Sequence, residues 1–160
     1  MTSDGVDDVV LQPLTPDNVL QVCDLRVAPA QERFVASAAV SLAEAYVYPS
    51  AWCRAVYGGQ SGLVGFVMLH DTQAGPGYML WRLLIDQRFQ GRGYGRRAVS
   101  QVVDHVRTRP GASVLKVGAR RGAGSPRPFY ESLGFAPTGQ VIDGDEDVLS
   151  LDLTRGIAAG

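Results

Sequence analysis

Hydrophobic positions follow two spacings along the chain, one typical of strands and the other of helices. Short apolar runs rich in β-branched residues predict strands at 9–14, 52–57, 62–70, 78–86, 113–119, 135–142 and 147–153. Gly58-Gly59 predicts a turn between the second and third strands, and Gly75-Pro76-Gly77 predicts another before the fourth. Because 78–86 is apolar almost throughout, we expect that strand to be buried on both faces.

Two helical regions are predicted between the first and second strands. Thr15 is the expected N-cap of the first, with Pro16 at its first helical position, and this helix continues to about residue 25. Residues 31–47 are helix-like in two pieces, and Ser41 is the candidate N-cap of the second piece. Pro49 ends this region.

Two later helices are predicted from apolar spacing and end signals. From Gly93 onward, one helical face carries Ala98, Val99, Val102, Val103 and Val106. That helix ends near Arg109, before Pro110-Gly111. A shorter helix begins at Ser125-Pro126 and takes Gly134 as its C-terminal cap.

The predicted order of elements is β-α-α-β-β-β-α-β-α-β-β, which indicates a mixed α/β class. An antiparallel meander leads to one helical crossover, and the crossover makes 78–86 and 113–119 neighbouring central strands. A length of 160 residues is typical of one domain. We therefore expect a single domain over 1–160 with its core at 9–154, and frayed ends before residue 9 and after Arg155.

Cysteine content and hydropathy exclude several classes of protein. Cys23 and Cys53 fit no zinc-site spacing and form no disulfide framework. No segment resembles a signal peptide, and no apolar run is long enough to span a bilayer. The expectation is a cytoplasmic protein with no membrane partner and no metal.

Charge is unevenly distributed although the net charge is only −1. The segment 82–127 holds 11 of the 15 basic residues and 2 of the 16 acidic ones. Such a segment favours a polyanionic ligand, and solvated helix faces are the alternative. Because the basic residues lack interleaved aromatic residues, a small phosphorylated ligand is favoured over nucleic acid.

A glycine-rich turn follows the strand at 78–86. Gly91, Gly93 and Gly95 lie where that strand meets a helix, so free backbone N–H groups and the helix dipole can bind an anion there. The turn is surrounded by arginines, whose planar donors suit phosphate, at positions Arg88, Arg92, Arg96 and Arg97. The spacing matches neither the dinucleotide fingerprint nor a Walker loop.

Two motifs resemble signatures of the GNAT superfamily of acyl-CoA-dependent N-acyltransferases. Gln90-Gly91-Arg92-Gly93-Tyr94-Gly95 resembles its pyrophosphate-binding motif, and 129–135 resembles its second signature. The resemblance extends over 9–153, and the segments 41–46, 64–69 and 80–86 are similar to the spermine and spermidine N-acetyltransferase branch. It implies a twisted, mostly antiparallel sheet of about seven strands with splayed central strands, about four flanking helices, and a homodimer.

The same resemblance implies acetyl-CoA as cosubstrate. The positions it assigns to the cofactor are Leu83, Leu84, Ile85, Gln90, Gly91, Arg92, Gly93, Tyr94, Gly95, Arg96, Ser125, Arg127 and Tyr130. Ser125 stands where the family often has asparagine. The Ile85 N–H is the implied donor to the developing oxyanion.

Acyl transfer from a thioester to an amine also needs an acid, a base and an acceptor site. Tyr130 matches the family's general acid, and a phenol is protonated at neutral pH. Glu44 is the candidate base, and Glu32, Glu44 and Arg82 are the candidate acceptor-binding residues. His70 and His105 are interpreted as structural or exposed, and the acidic run 143–147 is interpreted either as attracting a polyamine or as an exposed loop.

The leading hypothesis is an acyl-CoA N-acyltransferase. It would transfer acetyl from acetyl-CoA to the primary amine of a small molecule such as a polyamine, by direct attack in a ternary complex. The alternatives are a noncatalytic acyl-CoA sensor, or an enzyme acting on a protein N-terminus, a lysine or an aminoglycoside. The presence of Tyr130 favours catalysis.

Overall fold

The computed structural model describes residues 8–75 and 77–158. Within them, seven strands form one sheet in the order β1-β2-β3-β4-β5-β7-β6. The strands are β1 Val9–Gln12, β2 Ala51–Gly58, β3 Leu63–His70, β4 Met79–Ile85, β5 Val114–Arg120, β6 Ala136–Ile142 and β7 Glu146–Asp152. Only β4 and β5 pair in parallel among these strands. The predicted strand count, mixed α/β class and central crossover are confirmed.

Four α-helices and three single turns of 3-10 helix connect the strands of the described chain. The α-helices are α1 Val19–Cys23, α2 Ala38–Val47, α3 Tyr94–Arg107 and α4 Arg127–Ser132. The 3-10 turns are Pro29–Gln31, Gly59–Ser61 and Gln87–Phe89. The helix α3 carries the predicted apolar face, whose five residues are all buried.

The central strand β3 is buried on both faces. In β4, for which the sequence predicts such burial, Leu80 and Leu84 are buried in one core cluster each, and the other residues are half-buried. Along β3, Val67 and Leu69 pack in the core cluster that includes α3. The alternate residues Phe66 and Met68 pack with residues of α1 and α2 in a second cluster. Since successive side chains of a strand point to opposite faces, the sheet separates two cores.

Two predicted N-caps are wrong in detail. Ser37, with extended backbone, caps α2 by accepting from the Val40 N–H at 3.2 Å. The predicted cap Ser41 lies inside α2, where its hydroxyl donates to the Ser37 carbonyl oxygen at 2.8 Å. The Thr15 hydroxyl accepts from the Asp17 N–H at 3.2 Å and its carbonyl oxygen accepts from the Val19 N–H at 3.0 Å, which closes a turn. Regular α-helix begins only at Val19. Serine and threonine make such local bonds both at caps and inside helices, so their sequence position is ambiguous.

The predicted frayed ends and the predicted Gly75-Pro76-Gly77 turn fall partly outside the described residues, which exclude 1–7, 76, 159 and 160. In the described part of the tail, the Ala158 N–H donates to the Leu133 carbonyl oxygen at 2.7 Å. This bond joins that part of the tail to the end of α4.

Asp86 fastens the end of β4 to the loop after α1. It is 2% exposed, and its carboxylate accepts from the Arg26 N–H at 3.0 Å and from the Arg88 N–H and Nε at 3.0 and 2.8 Å. Burial opposes ionisation of the carboxyl. The hydrogen bonds from Arg88 and Arg26 outweigh that effect and hold the pKa of Asp86 below its ordinary value.

We expect Asp86→Asn to lower the free energy of unfolding by roughly 1.5–3 kcal/mol at neutral pH, because it removes charge-assisted hydrogen bonds. A depressed folded pKa stabilises the protein above the unfolded pKa of about 3.9, and that stabilisation is lost as pH falls through the lower folded value. The difference between wild type and variant should therefore shrink below about pH 4.

Urea unfolding followed by circular dichroism at several pH values measures this difference. Asp104→Asn is the matched control, because the Asp104 side chain is 65% exposed and, among the described residues, pairs only with Arg107 on its own helix. Equal stability of Asp86→Asn and wild type at neutral pH would contradict the prediction.

Candidate functional site

The parallel strands β4 and β5 pair only near their starts. Their register ends at the pair Leu80–Val117. Directly afterwards Trp81 interrupts the pairing of β4 with β3, since Leu80 and Arg82 lie opposite consecutive β3 residues. An extra residue of this kind bends its strand and increases the local twist. The second half of β4 therefore separates from β5 and leaves a cleft in the sheet, which confirms the predicted splay.

The backbone of Ile85 is directed to this cleft. The next residue, Asp86, donates its N–H to the Val64 carbonyl oxygen, on the β3 side, at 2.8 Å. Because successive strand residues direct their backbone groups to opposite edges, the Ile85 N–H points away from β3. The Ile85 carbonyl oxygen accepts from Gln90 Nε2 at 2.9 Å.

The glycine-rich turn leaves its backbone donors free. Gly91 and Gly93 have φ of 76° and 85°, a left-handed conformation that glycine adopts readily. The first helical bond of α3 runs from the Arg97 N–H to the Gly93 carbonyl oxygen at 3.2 Å. Hydrogen bonds among the described residues include none donated by the backbone of 90–96. The turn and the start of α3 thus present several N–H groups that can donate hydrogen bonds to an anion.

The arginines around this turn have different partners. Arg88 pairs with Asp86, the Arg92 guanidinium lies 5.6 Å from the centre of the Phe89 ring, and Arg96 donates to the Ala158 carbonyl oxygen. Arg97 Nη1 is buried and has no hydrogen-bond partner in the described chain. Farther along, Arg127 pairs with Glu131 and Asp147 at 2.9 and 3.0 Å.

A cavity of about 1090 Å³ joins the cleft to the glycine-rich turn. The predicted site residues that line it are Glu32, Glu44, Arg82, Leu83, Ile85, Gln90, Gly91, Gly93, Tyr94, Gly95, Arg96, Ser125 and Tyr130. The predicted residues Leu84, Arg92 and Arg127 do not line it. Leu84 packs in the second core cluster instead, and Arg127 is engaged by two carboxylates.

Tyr130 lies on α4 and is 6% exposed. Its ring packs edge-on against Phe129 and Phe135, with centroid distances of 5.2 and 5.6 Å. Burial, together with the nearby negative charge of Glu146, raises the pKa of the Tyr130 phenol far above its ordinary value. The phenol is therefore held in its protonated form where it lines the cavity.

Polar and aromatic side chains gather at the other end of the cavity. Glu44 on α2 and Arg82 on β4 form an ion pair of 2.9 Å. His70 stacks on Trp81 with ring centroids 3.8 Å apart, and its Nδ1 is 3.1 Å from the Ser50 hydroxyl. Burial lowers the pKa of His70, and the positive charge of Arg82 lowers it further.

Sequence reasoning did not identify several residues of this end. His70, Trp81, Tyr48 and Glu146 all line the cavity, although they come from separate elements. Two of them were considered from the sequence, His70 as structural or exposed and Glu146 as part of the acidic run 143–147. The expectation for His105 is confirmed, since it bonds Asp71 at 3.0 Å and lies outside the lining.

The described residues include no group of three or more His, Cys, Asp or Glu that could hold a metal ion. Of the helices in 8–75 and 77–158, none has the length and hydropathy needed to cross a bilayer.

Solved structures with the same fold include acetyltransferases from different organisms. An acetyltransferase from Thermus thermophilus is 20% identical with a TM-score of 0.71, covering 92% of this chain and 98% of that one. A spermidine N-acetyltransferase from Vibrio cholerae, in complex with CoA and spermine, is 16% identical with a TM-score of 0.68, covering 92% and 96%. At these identities the similarity shows the fold alone.

A search of the curated proteins finds no match to the sequence. The sequence does match the Acetyltransferase (GNAT) family over residues 20–135. This range includes both motifs of the cleft region, from the glycine-rich turn through Tyr130, and it covers more than half of the chain. The chain therefore belongs to the GNAT acetyltransferase family and is an acyl-CoA N-acyltransferase.

Proposed function

We propose that this enzyme transfers an acetyl group from acetyl-CoA to the primary amine of a small molecule, with polyamines as the foremost candidates. The single observation that carries the proposal is the cavity, which connects free backbone donors at one end with carboxylates at the other. The reaction occurs by direct attack within a ternary complex. In this proposal the enzyme acts in the cytoplasm, as its cysteine content and hydropathy suggest, and forms one domain, as its length suggests. The family resemblance adds a homodimer.

The donor end of the cavity suits the diphosphate of coenzyme A. The free N–H groups of the turn and of the start of α3 accommodate phosphate oxygens, and the helix dipole adds to the attraction. Gln90 supports the turn rather than binding phosphate with its side chain, which is bonded to Ile85 and Gln31.

The catalytic groups assigned at the cleft are Ile85 and Tyr130. The Ile85 N–H, directed away from β3, stabilises the negative charge that develops on the thioester oxygen. Tyr130 donates its proton to the departing thiolate, since its raised pKa keeps the phenol protonated. Ser125 lines the donor side and holds the loop before α4 through its bond to the Arg120 carbonyl oxygen at 2.7 Å.

The acceptor end suits a cationic amine. The carboxylates of Glu32, Glu44, Asp143 and Glu146 and the aromatic side chains of Trp81 and Tyr48 line the cavity. The charge of Arg82, which pairs with Glu44, also acts on Glu146. Carboxylates and aromatic faces both attract ammonium groups. The Vibrio cholerae relative, whose structure contains spermine, supports a polyamine as the first acceptor to test.

We expect wild-type enzyme to release free thiol from acetyl-CoA when supplied with an amine from a panel of spermidine, spermine, a monoamine, an aminoglycoside and a lysine peptide. Tyr130→Phe should lower kcat by about 10²-fold or more, because the thiolate loses its proton donor. The affinity for acetyl-CoA, measured by calorimetry, should fall much less than kcat. Tyr46→Phe is the control, since Tyr46 is 91% exposed and lies outside the cavity lining.

Tight binding of acetyl-CoA without turnover on any amine would instead identify a sensor. If only the lysine peptide or only the aminoglycoside is acetylated, that compound class and not the polyamines is the acceptor. An unchanged kcat in Tyr130→Phe would remove Tyr130 from the mechanism.

The ionisation of Tyr130 provides a separate prediction. Because its pKa is raised far above the ordinary value, Tyr130 should contribute no phenolate absorbance where ordinary tyrosines titrate. Wild type and Tyr130→Phe should show the same absorbance increase between about pH 8 and pH 11. A larger increase in the wild type would show that the phenol ionises in this range.

A further inference from the structure

The side chain of Glu146 extends from β7 across β5. Glu146 is the first residue of β7 and lies opposite Arg120 in the register of the two strands. A Cβ atom placed on Gly118 of β5 would lie 2.4 Å from Glu146 Oε1 and 2.8 Å from its Cδ. The carboxylate therefore occupies the space that any other residue at position 118 would fill.

Gly118 marks the point at which the sheet opens. It follows Val117, which is the last β5 residue paired with β4. The Glu146 carboxylate thus lies at the apex of the cleft between the two strands, and it lines the same cavity as Ile85 and Tyr130. Its charge is close enough to act on the Tyr130 phenol.

The Glu146 carboxylate is available to a ligand. Ion pairs and hydrogen bonds of the described residues do not use it, whereas Asp145 and Asp147 on either side of it pair with arginines. The candidate base Glu44 differs in this respect, since Arg82 Nη2 lies 2.9 Å from its Oε1. A substrate ammonium can approach Glu146 without displacing a guanidinium.

The surroundings of Glu146 make its carboxylate a better proton acceptor than an ordinary glutamate. Burial raises the pKa of Glu146, and the negative charge of Asp143 raises it further. The positive charges of Arg120 and Arg82 act in the opposite direction, and Asp145 adds a smaller upward effect. A carboxylate with a raised pKa is a stronger base than an ordinary one and is better matched to a general-base role.

We propose that Glu146 is the catalytic residue that accepts the proton of the acceptor ammonium in this enzyme, and that Gly118 is the positioning residue that makes room for it. The inference rests on the proposed N-acetyltransferase function and assigns its base.

Protons and electron pairs balance over the whole transfer. The ammonium transfers one proton to Glu146, and the nitrogen lone pair then forms a bond to the thioester carbonyl carbon. The C–S bond breaks, and the thiolate takes the phenolic proton of Tyr130. The second proton lost by nitrogen restores Tyr130, and Glu146 releases its proton to water. The products are an amide, a free thiol and one proton.

The pH dependence of Glu146→Gln tests the assignment. With an aliphatic amine, wild-type kcat/KM should level off above the pKa of Glu146, because the enzyme deprotonates the bound ammonium. In Glu146→Gln only the free amine reacts, so kcat/KM should fall by about 10²-fold or more at neutral pH. It should also rise about tenfold per pH unit toward the pKa of the amine, a change of shape that a merely structural role would not cause.

Acceptor basicity and two further variants complete the test. A weakly basic aromatic amine, already neutral in the assay, should lose less than about tenfold in Glu146→Gln, because it needs no base. Gly118→Ala should displace the carboxylate and lower kcat at least about tenfold at unchanged affinity for CoA. Asp104→Asn is the control for removing a carboxylate outside the cavity.

The outcomes separate the two proposals. Absence of thiol release by wild-type enzyme with every amine would overturn the proposed function itself. If the wild type turns over an amine and Glu146→Gln keeps the same level dependence of kcat/KM on pH, only the assignment of Glu146 is overturned. If circular dichroism shows that Glu146→Gln does not fold, the folded Gly118→Ala variant decides. A kcat equal to that of the wild type would overturn the assignment of Glu146, and a lowered kcat would support it.

Discussion

The organisation of the candidate active site depends on the separation of β4 from β5 after the pair Leu80–Val117. A continuous parallel pair would have used the backbone groups of both strands in the sheet. The bulge at Trp81 and the early end of the register leave the Ile85 N–H without a strand partner on that side. The same separation creates the space that the Glu146 side chain enters across Gly118. One irregularity in strand pairing therefore provides both a donor and a cavity.

The fold was largely predictable because its signals are local. The hairpin between β2 and β3 follows from a glycine pair between two apolar runs, and α3 follows from its apolar spacing. The capping errors had a different origin. Ser37 and Ser41 are equivalent in sequence terms, and only the backbone conformation decides which of them accepts the bond from the helix start.

The two ends of the cavity differed in how far sequence could identify them. The donor end is one continuous segment, from β4 through the first turn of α3, so a single motif contains most of it. The acceptor end combines α2, the end of β3, the bulge of β4 and the hairpin between β6 and β7. Residues such as His70 and Glu146 meet only through tertiary packing, and no local pattern distinguishes them from ordinary surface residues.

The two ends of the cavity are built from different segments of the chain, and this has an evolutionary consequence. Substitutions in α2 or in the β6–β7 hairpin can reshape the end of the cavity proposed for the acceptor. The segment from Asp86 to Arg97, held by the bond from the Arg26 N–H to Asp86, can stay unaltered. Selection for a new acceptor can therefore proceed without loss of the acyl donor. Because the two ends of the cavity come from different segments, the β6–β7 hairpin and α2 are the first targets for mutant libraries intended to change the acceptor specificity toward other amines.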